Sequence, residues 1–177
     1  MSKMLFPKMA VSNIRKNKKL YVPYIITAIF TVMMFFMNIS IVKNKNVAAM
    51  RGGQNVVVLL QVALVVSFIF SAVFLFYTNS FLMKRRTKEI GLYNILGMEK
   101  KHISLMMLFE NVIITIISLI AGIVFGIIFS RLMFLVLMKL IKADSVPAFV
   151  ISTNAVVVTI IYFISIFAVI FIYNFVK

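Results

Sequence analysis

Four long runs of apolar residues, separated by short polar segments, dominate the hydropathy pattern of the chain. The runs cover residues 20–42, 56–83, 103–138 and 149–176. Each is at least as long as the roughly 20 residues that a helix needs to cross about 30 Å of hydrocarbon. A segment inside a bilayer must satisfy its own backbone hydrogen bonds, and this favours helices. The pattern therefore predicts an all-α membrane protein with four transmembrane helices.

The first polar segment, residues 1–19, holds six basic residues and no acid. Pro7 can occupy the first turn of a short helix whose apolar residues contact lipid while its lysine side chains reach the headgroups. The apolar run that follows is membrane-length and ends without a small-residue cleavage site, so we do not expect signal-peptide cleavage. We predict a cytoplasmic, interfacial N-terminal helix in residues 1–19, ahead of a transmembrane domain in residues 20–177.

The second polar segment, residues 84–102, lies between the second and third apolar runs, and we call it the elbow. It begins with three basic residues where an emerging helix meets lipid headgroups, and Gly97 is placed to end a short helix. A helix that only rests on lipid needs one apolar face. The elbow is predicted to be either a docking surface or a turn whose basic residues only fix topology. Its apolar side chains lie on two sides of a helical wheel, Leu92, Ile95 and Leu96 on one and Ile90 and Met98 on the other.

Basic residues are distributed unevenly between the polar segments, and this predicts the orientation of the chain. Residues 1–19 and the elbow hold six each, whereas the two outer loops, residues 43–55 and 139–147, hold three and two. By the positive-inside rule, both termini and the elbow are cytoplasmic, and Asn46 and Asp144 face outward. The formal charge of +15 is thus explained by topology and anionic lipid rather than by nucleic acid.

The composition also limits the chemistry that the chain can perform. It has four acidic residues, one histidine and no cysteine, so a disulfide framework or a thiolate metal site is not possible. The sequence contains no phosphate-binding loop, no H-E-x-x-H pair and no G-x-S-x-G nucleophile motif. We therefore expect neither enzymatic activity nor a cofactor.

Two features of the third apolar run indicate specific contacts between helices. An unpaired carboxylate at Glu110 would be costly inside a membrane. Glu110 is predicted either to lie near the favourable end of a helix dipole or to lock onto a basic residue of the elbow or the N-terminal helix. A stripe of small residues at intervals of four also predicts that another helix approaches closely. The stripe consists of Ser118, Gly122, Gly126 and Ser130.

The elbow sequence Arg86-x-Lys88-Glu89-Ile90-Gly91-x-x-x-x-Leu96-Gly97-Met98 resembles the loop between the second and third membrane helices of FtsX-like permease subunits of ABC transporters. The segment Ala10-x-x-Asn13-Ile14-Arg15-Lys16-Asn17-Lys18 resembles the N-terminal interfacial segment of that family. The short first outer loop is similar to that of the bacitracin-export, antimicrobial-peptide type. Permeases of that type are much longer, so the chain resembles their N-terminal portion and looks like a fragment or a truncated product.

This resemblance implies a four-span segment of a bacterial plasma-membrane permease that takes part in antimicrobial-peptide export, detoxification or resistance. The elbow would then be a short coupling helix that receives motion from a separate ABC ATPase. Other implied partners are membrane lipid, a sensor histidine kinase, and the remaining permease helices or a second copy. The implied coupling residues are Glu89, Ile90, Gly91, Leu92, Leu96 and Gly97.

Two alternatives to this function remain open from the sequence. The first is a small non-transporting membrane regulator or scaffold associated with a sensor kinase, or a remnant of a truncated permease gene. The second is a homo-oligomeric pore, which is disfavoured because the spans lack the repeated polar faces of an aqueous path.

Overall fold

The computed structural model describes residues 5–44, 53–140 and 152–176, and every regular element in those ranges is a helix. Four of the helices are long and apolar enough to cross a membrane. The predicted all-α fold with four transmembrane helices is therefore confirmed. Asn46 and Asp144, which are predicted to face outward, lie outside the described residues. The helices are α1 (Leu5–Lys16), α2 (Lys18–Val42), α3 (Gly53–Ile95), α4 (Lys100–Leu140) and α5 (Thr153–Val176).

Helix α2 is the centre of the bundle, because it is packed against all four other helices. The consecutive helices α3 and α4 contact each other only sparsely, whereas both pack extensively on α2. Aromatic side chains of α2 and α5 fill the middle of the core, with the rings of Phe35 and Phe163 5.6 Å apart in an edge-to-face arrangement. The position of every other helix is thus set largely by its contact with α2.

The elbow differs from the separate short helix that the sequence predicted. Helix α3 runs without interruption for 43 residues, from the second span through the elbow to Ile95. At 1.5 Å per residue it is about 65 Å long, roughly twice the thickness of the hydrocarbon layer. The basic residues that mark the membrane boundary are good helix formers and do not break the helix. The elbow is therefore, as far as Ile95, a continuous extension of a transmembrane helix.

Polar contacts join α3 to α5, which share little other surface. The hydroxyl oxygens of Ser71 and Tyr162 are 3.1 Å apart. Closer to the elbow, the side-chain amides of Asn79 and Asn174 donate hydrogen bonds to each other, at 3.0 and 3.3 Å. Interhelical hydrogen bonds of this kind contribute to packing in a bilayer, where apolar surface alone does not distinguish a helix from lipid.

Candidate functional site

The buried carboxylate of Glu110 in α4 is the centre of the candidate functional site. Its side chain is 3% exposed, and that of Arg86 in the elbow is 2% exposed. The guanidinium of Arg86 donates with both terminal nitrogens: Nη1 to Glu110 Oε2, and Nη2 to Oε1 at 3.2 Å. This two-point contact fixes the relative orientation of α3 and α4, which have few other contacts.

Two further helices donate hydrogen bonds to the same carboxylate. Asn13 Nδ2 in α1 donates to Oε1 at 2.8 Å, and the Tyr21 hydroxyl in α2 donates to Oε2 at 2.8 Å. The Tyr21 ring also faces the guanidinium, with Arg86 Cζ 5.2 Å from the ring centroid. Side chains from α1, α2, α3 and α4 therefore meet at one carboxylate. We call Asn13, Tyr21, Arg86 and Glu110 the four-helix lock.

The four-helix lock satisfies the carboxylate of a buried ion pair, while Nε of Arg86 is buried without a hydrogen-bond partner. Removing two charges from water costs several kcal/mol per ion, and mutual attraction offsets that cost only with good geometry and additional hydrogen bonds. Here each carboxylate oxygen accepts two hydrogen bonds. The adjoining cavity has a volume of about 30 Å³, the size of a single water molecule rather than of a substrate. The geometry fits a connector between helices and not a transport path.

A second layer of polar contacts ties the elbow to the junction between α1 and α2. Asn17 Nδ2, at that junction, donates to Glu89 Oε2 at 2.9 Å. The same carboxylate oxygen is 3.7 Å from Arg86 Nε. Glu89 is therefore held by residues of its own chain. The resemblance implied it as a coupling residue, and its side chain remains 34% exposed.

The remaining predicted coupling residues lie at the far end of α3. The side chains of Leu92, Ile95 and Leu96 are 55%, 83% and 71% exposed. Gly97 follows the helix with a φ of 84°, and the N–H of Met98 donates to the carbonyl of Tyr93 at 3.0 Å. This pattern is the Schellman termination, which favours glycine at the left-handed position.

Ile90 is half-buried, and Gly91 has open space around it, since a Cβ added there would meet no atom within 4 Å. The apolar end of α3 is thus a well-defined surface that no other described segment covers. We call Leu92, Ile95 and Leu96 the α3 tip.

The small-residue stripe of α4 faces α2. A Cβ added to Gly122 would lie 2.6 Å from Cβ and Cγ1 of Val32, and one added to Gly126 would lie 2.7 Å from Cδ1 of Phe36. Both serines of the stripe are fully buried. Only glycine leaves enough space for these two helix backbones at their present separation.

The sequence did not identify every residue of the site. It offered a lock at Glu110 as one of two interpretations, did not choose among the basic residues of the elbow and the N-terminal helix, and assigned no role to Asn13 or Tyr21. In the described ranges, no three His, Asp or Glu side chains lie close enough together to hold a metal ion.

Comparison with known proteins identifies the family. The family model described as FtsX-like permease C-terminal matches residues 61–177. The uncharacterized ABC transporter permease YvcS of Bacillus subtilis (strain 168) is 32% identical over 160 residues, which cover 89% of this chain and 25% of YvcS. The bacitracin export permease protein BceB of the same strain is 30% identical over 170 residues, covering 95% of this chain and 26% of BceB.

The BceB protein of Halalkalibacterium halodurans is 29% identical over 165 residues, covering 93% of this chain and 26% of that protein. The chain thus spans about a quarter of the length of the curated relatives it matches. The family match covers more than half of the chain and agrees with the four apolar helices and with the resemblance in the elbow. The chain therefore belongs to the FtsX-like permease family of ABC transporters and is a multi-pass membrane protein.

Proposed function

We propose that this chain forms part of the membrane subunit of an ABC transporter that exports or detoxifies antimicrobial peptides, and that its elbow receives the motion of a separate ATPase. The observation that carries the proposal is the combination of an exposed apolar α3 tip with the four-helix lock on the same helix. The peptide class is supported by two relatives, which are bacitracin export permeases.

The α3 tip has the chemistry of a docking surface. It exposes three aliphatic side chains at the end of a helix whose terminal turn is closed by Gly97. A solvated turn gains nothing from exposed aliphatic residues, whereas a partner can bury them. The residues of the α3 tip carry no charge, and this also suits the core of an interface, where charged residues are depleted.

The four-helix lock would transmit a displacement of the α3 tip by the ATPase to the other helices of the bundle. Arg86 lies nine residues before Ile95, about 14 Å along the axis of α3. A continuous helix transmits force over this distance without the compliance of a loop. Because Arg86 meets α1, α2 and α4 at Glu110, displacement of the tip would be shared with all three helices.

This coupling requires the α3 tip to lie in the cytoplasm, which gives a topology prediction. Single cysteines at positions 46, 94 and 144 are clean probes because the chain has no native cysteine. We expect an impermeant maleimide applied to intact cells to label positions 46 and 144, and to label position 94 only after the membrane is permeabilised. Labelling of position 94 in intact cells would contradict the orientation and, with it, the proposed contact.

The ATPase contact is tested by charged substitutions at the α3 tip. We expect Leu92→Asp and Leu96→Asp, placed in the permease that contains this chain, to weaken co-purification of the cognate ATPase about thirtyfold. A buried apolar anchor that becomes charged commonly costs about 2 kcal/mol or more of binding free energy. The measurement is the ATPase-to-permease ratio after affinity purification in mild detergent.

Thr87→Asp is the matched control for these variants. Thr87 is exposed, lies on the opposite side of α3 from Leu96, and its substitution changes the charge by the same amount. This variant should retain the ATPase. If both leucine variants insert into the membrane and still co-purify with the ATPase at the ratio of the unmodified permease, the elbow is a topology signal only.

A further inference from the structure

A groove of about 280 Å³ lies between α2 and α3, outside the four-helix lock. On α2 its lining extends from Lys19 to Thr27, a length of about 12 Å along the helix axis, and on α3 it extends from Tyr77 to Leu82. This length is close to the roughly 15 Å depth of one leaflet's hydrocarbon. Other lining residues include Pro23 and Phe81, so the surface between the ends is mainly apolar.

Positive charge is confined to one end of this groove. Lys19 lines that end, and Arg85 lies one turn beyond Phe81, with Cζ 5.1 Å from the ring centroid. Both side chains are exposed. Among the described residues, neither has a carboxylate within salt-bridge distance, since Glu89, Glu99 and Glu110 pair elsewhere. The groove therefore offers two uncompensated cations at its mouth.

The chemistry of the groove indicates its occupant. The lining between its two ends is mainly apolar, which suits a hydrocarbon chain. Its single cationic end also matches a molecule with one anionic end, and Lys and Arg near a membrane surface attract anionic headgroups.

We propose that this groove binds one acyl chain of an anionic phospholipid, with the phosphate held between Lys19 and Arg85. The lipid lies in the leaflet on the elbow side, with its chain running from the cationic mouth towards Thr27 and Tyr77. It fills the space between the central helix and the helix that carries the elbow. The site does not depend on the identity of the transported substrate.

Fluorescence quenching tests the site directly, because the chain contains no tryptophan. Tyr77→Trp places the sole indole in the groove. Phe175→Trp is the control, since Phe175 is exposed outside the groove at a similar depth, next to the Asn79–Asn174 pair. The full 177-residue chain is reconstituted in phosphatidylcholine vesicles that contain either brominated phosphatidylglycerol or brominated phosphatidylcholine.

The lipid preference at each tryptophan is the ratio of its quenching by brominated phosphatidylglycerol to its quenching by brominated phosphatidylcholine. We expect this ratio to be about fivefold higher for Tyr77→Trp, the groove reporter, than for Phe175→Trp, the control reporter. Lys19→Gln with Arg85→Gln should reduce the groove preference to the control value, whereas Lys19→Arg with Arg85→Lys should preserve it. Equal preferences at both reporters would overturn the proposal. So would a groove reporter that neither lipid quenches, because a second copy or another protein segment would then fill the groove.

Discussion

Replacing Glu110 by Ala is expected to lower the free energy of unfolding by about 3–5 kcal/mol, the usual cost of leaving one charge of a buried ion pair without its partner. The guanidinium of Arg86 would remain buried without a counter-charge, and Asn13 and Tyr21 would lose their acceptor. The measurement is the thermal unfolding midpoint of the purified chain in a fixed detergent. Glu99→Gln, at an exposed carboxylate, is the control and should change stability by less than about 0.5 kcal/mol.

A double substitution separates the ion pair from simple packing. Arg86→Met combined with Glu110→Leu removes both charges and keeps similar volumes, so it should recover part of the stability that Glu110→Ala loses, while Asn13 and Tyr21 still lack their acceptor. The effects of the single changes Arg86→Met and Glu110→Leu on stability should therefore be strongly non-additive, as expected for residues in direct contact. Additive losses in this cycle, or a Glu110→Ala protein as stable as the unmodified chain, would show that the four-helix lock contributes little.

The sequence predicted the importance of Glu110 because an acid inside an apolar run is unusual whatever its surroundings. It did not predict Arg86 as the partner, because six basic residues of the elbow and six of residues 1–19 were equivalent by composition. The choice depends on how α1 folds back beside α4, and no periodicity in the sequence encodes that. Asn13 and Tyr21 were missed for the same reason.

The elbow shows how a change in composition can be mistaken for a change in structure. The basic residues after Met83 mark where the chain leaves the hydrocarbon, and a separate helix was predicted there. Lysine, arginine and glutamate are good helix formers, so α3 continues through the boundary to Ile95. Gly91 lies within this helix without ending it, whereas Gly97 adopts the left-handed conformation. The charge pattern therefore did not predict where the helix ends.

The stripe on α4 was visible in the sequence as a repeat of small residues every four positions, a spacing that places them on one face. The repeat carried no information about which helix would approach, because any of the other spans could have filled the space. The structure places α2 there, with Val32 and Phe36 at the glycines. Because these contacts are known, the effect of adding a side chain at each glycine can be predicted.

Gly122→Leu is expected to reduce the yield of folded protein sharply and to lower the free energy of unfolding by about 3 kcal/mol, the upper part of the range for overpacked sites. Even a single added carbon would lie 2.6 Å from Val32 and 3.0 Å from the backbone carbonyl oxygen of Ile29. The side chain of Val32 cannot rotate its Cβ away, and the carbonyl belongs to the α2 backbone. The helices would therefore have to separate along their most extensive contact.

Gly91→Leu is the matched control, since it makes the same chemical change inside a helix where nothing lies within 4 Å of the added Cβ. Leucine is the better helix former, so this variant should unfold at the same temperature as the unmodified chain or slightly above it. Thermal unfolding and folded yield in one detergent compare the two. Equal stability of both variants would mean that α4 turns Gly122 towards lipid and that the close contact with α2 does not exist.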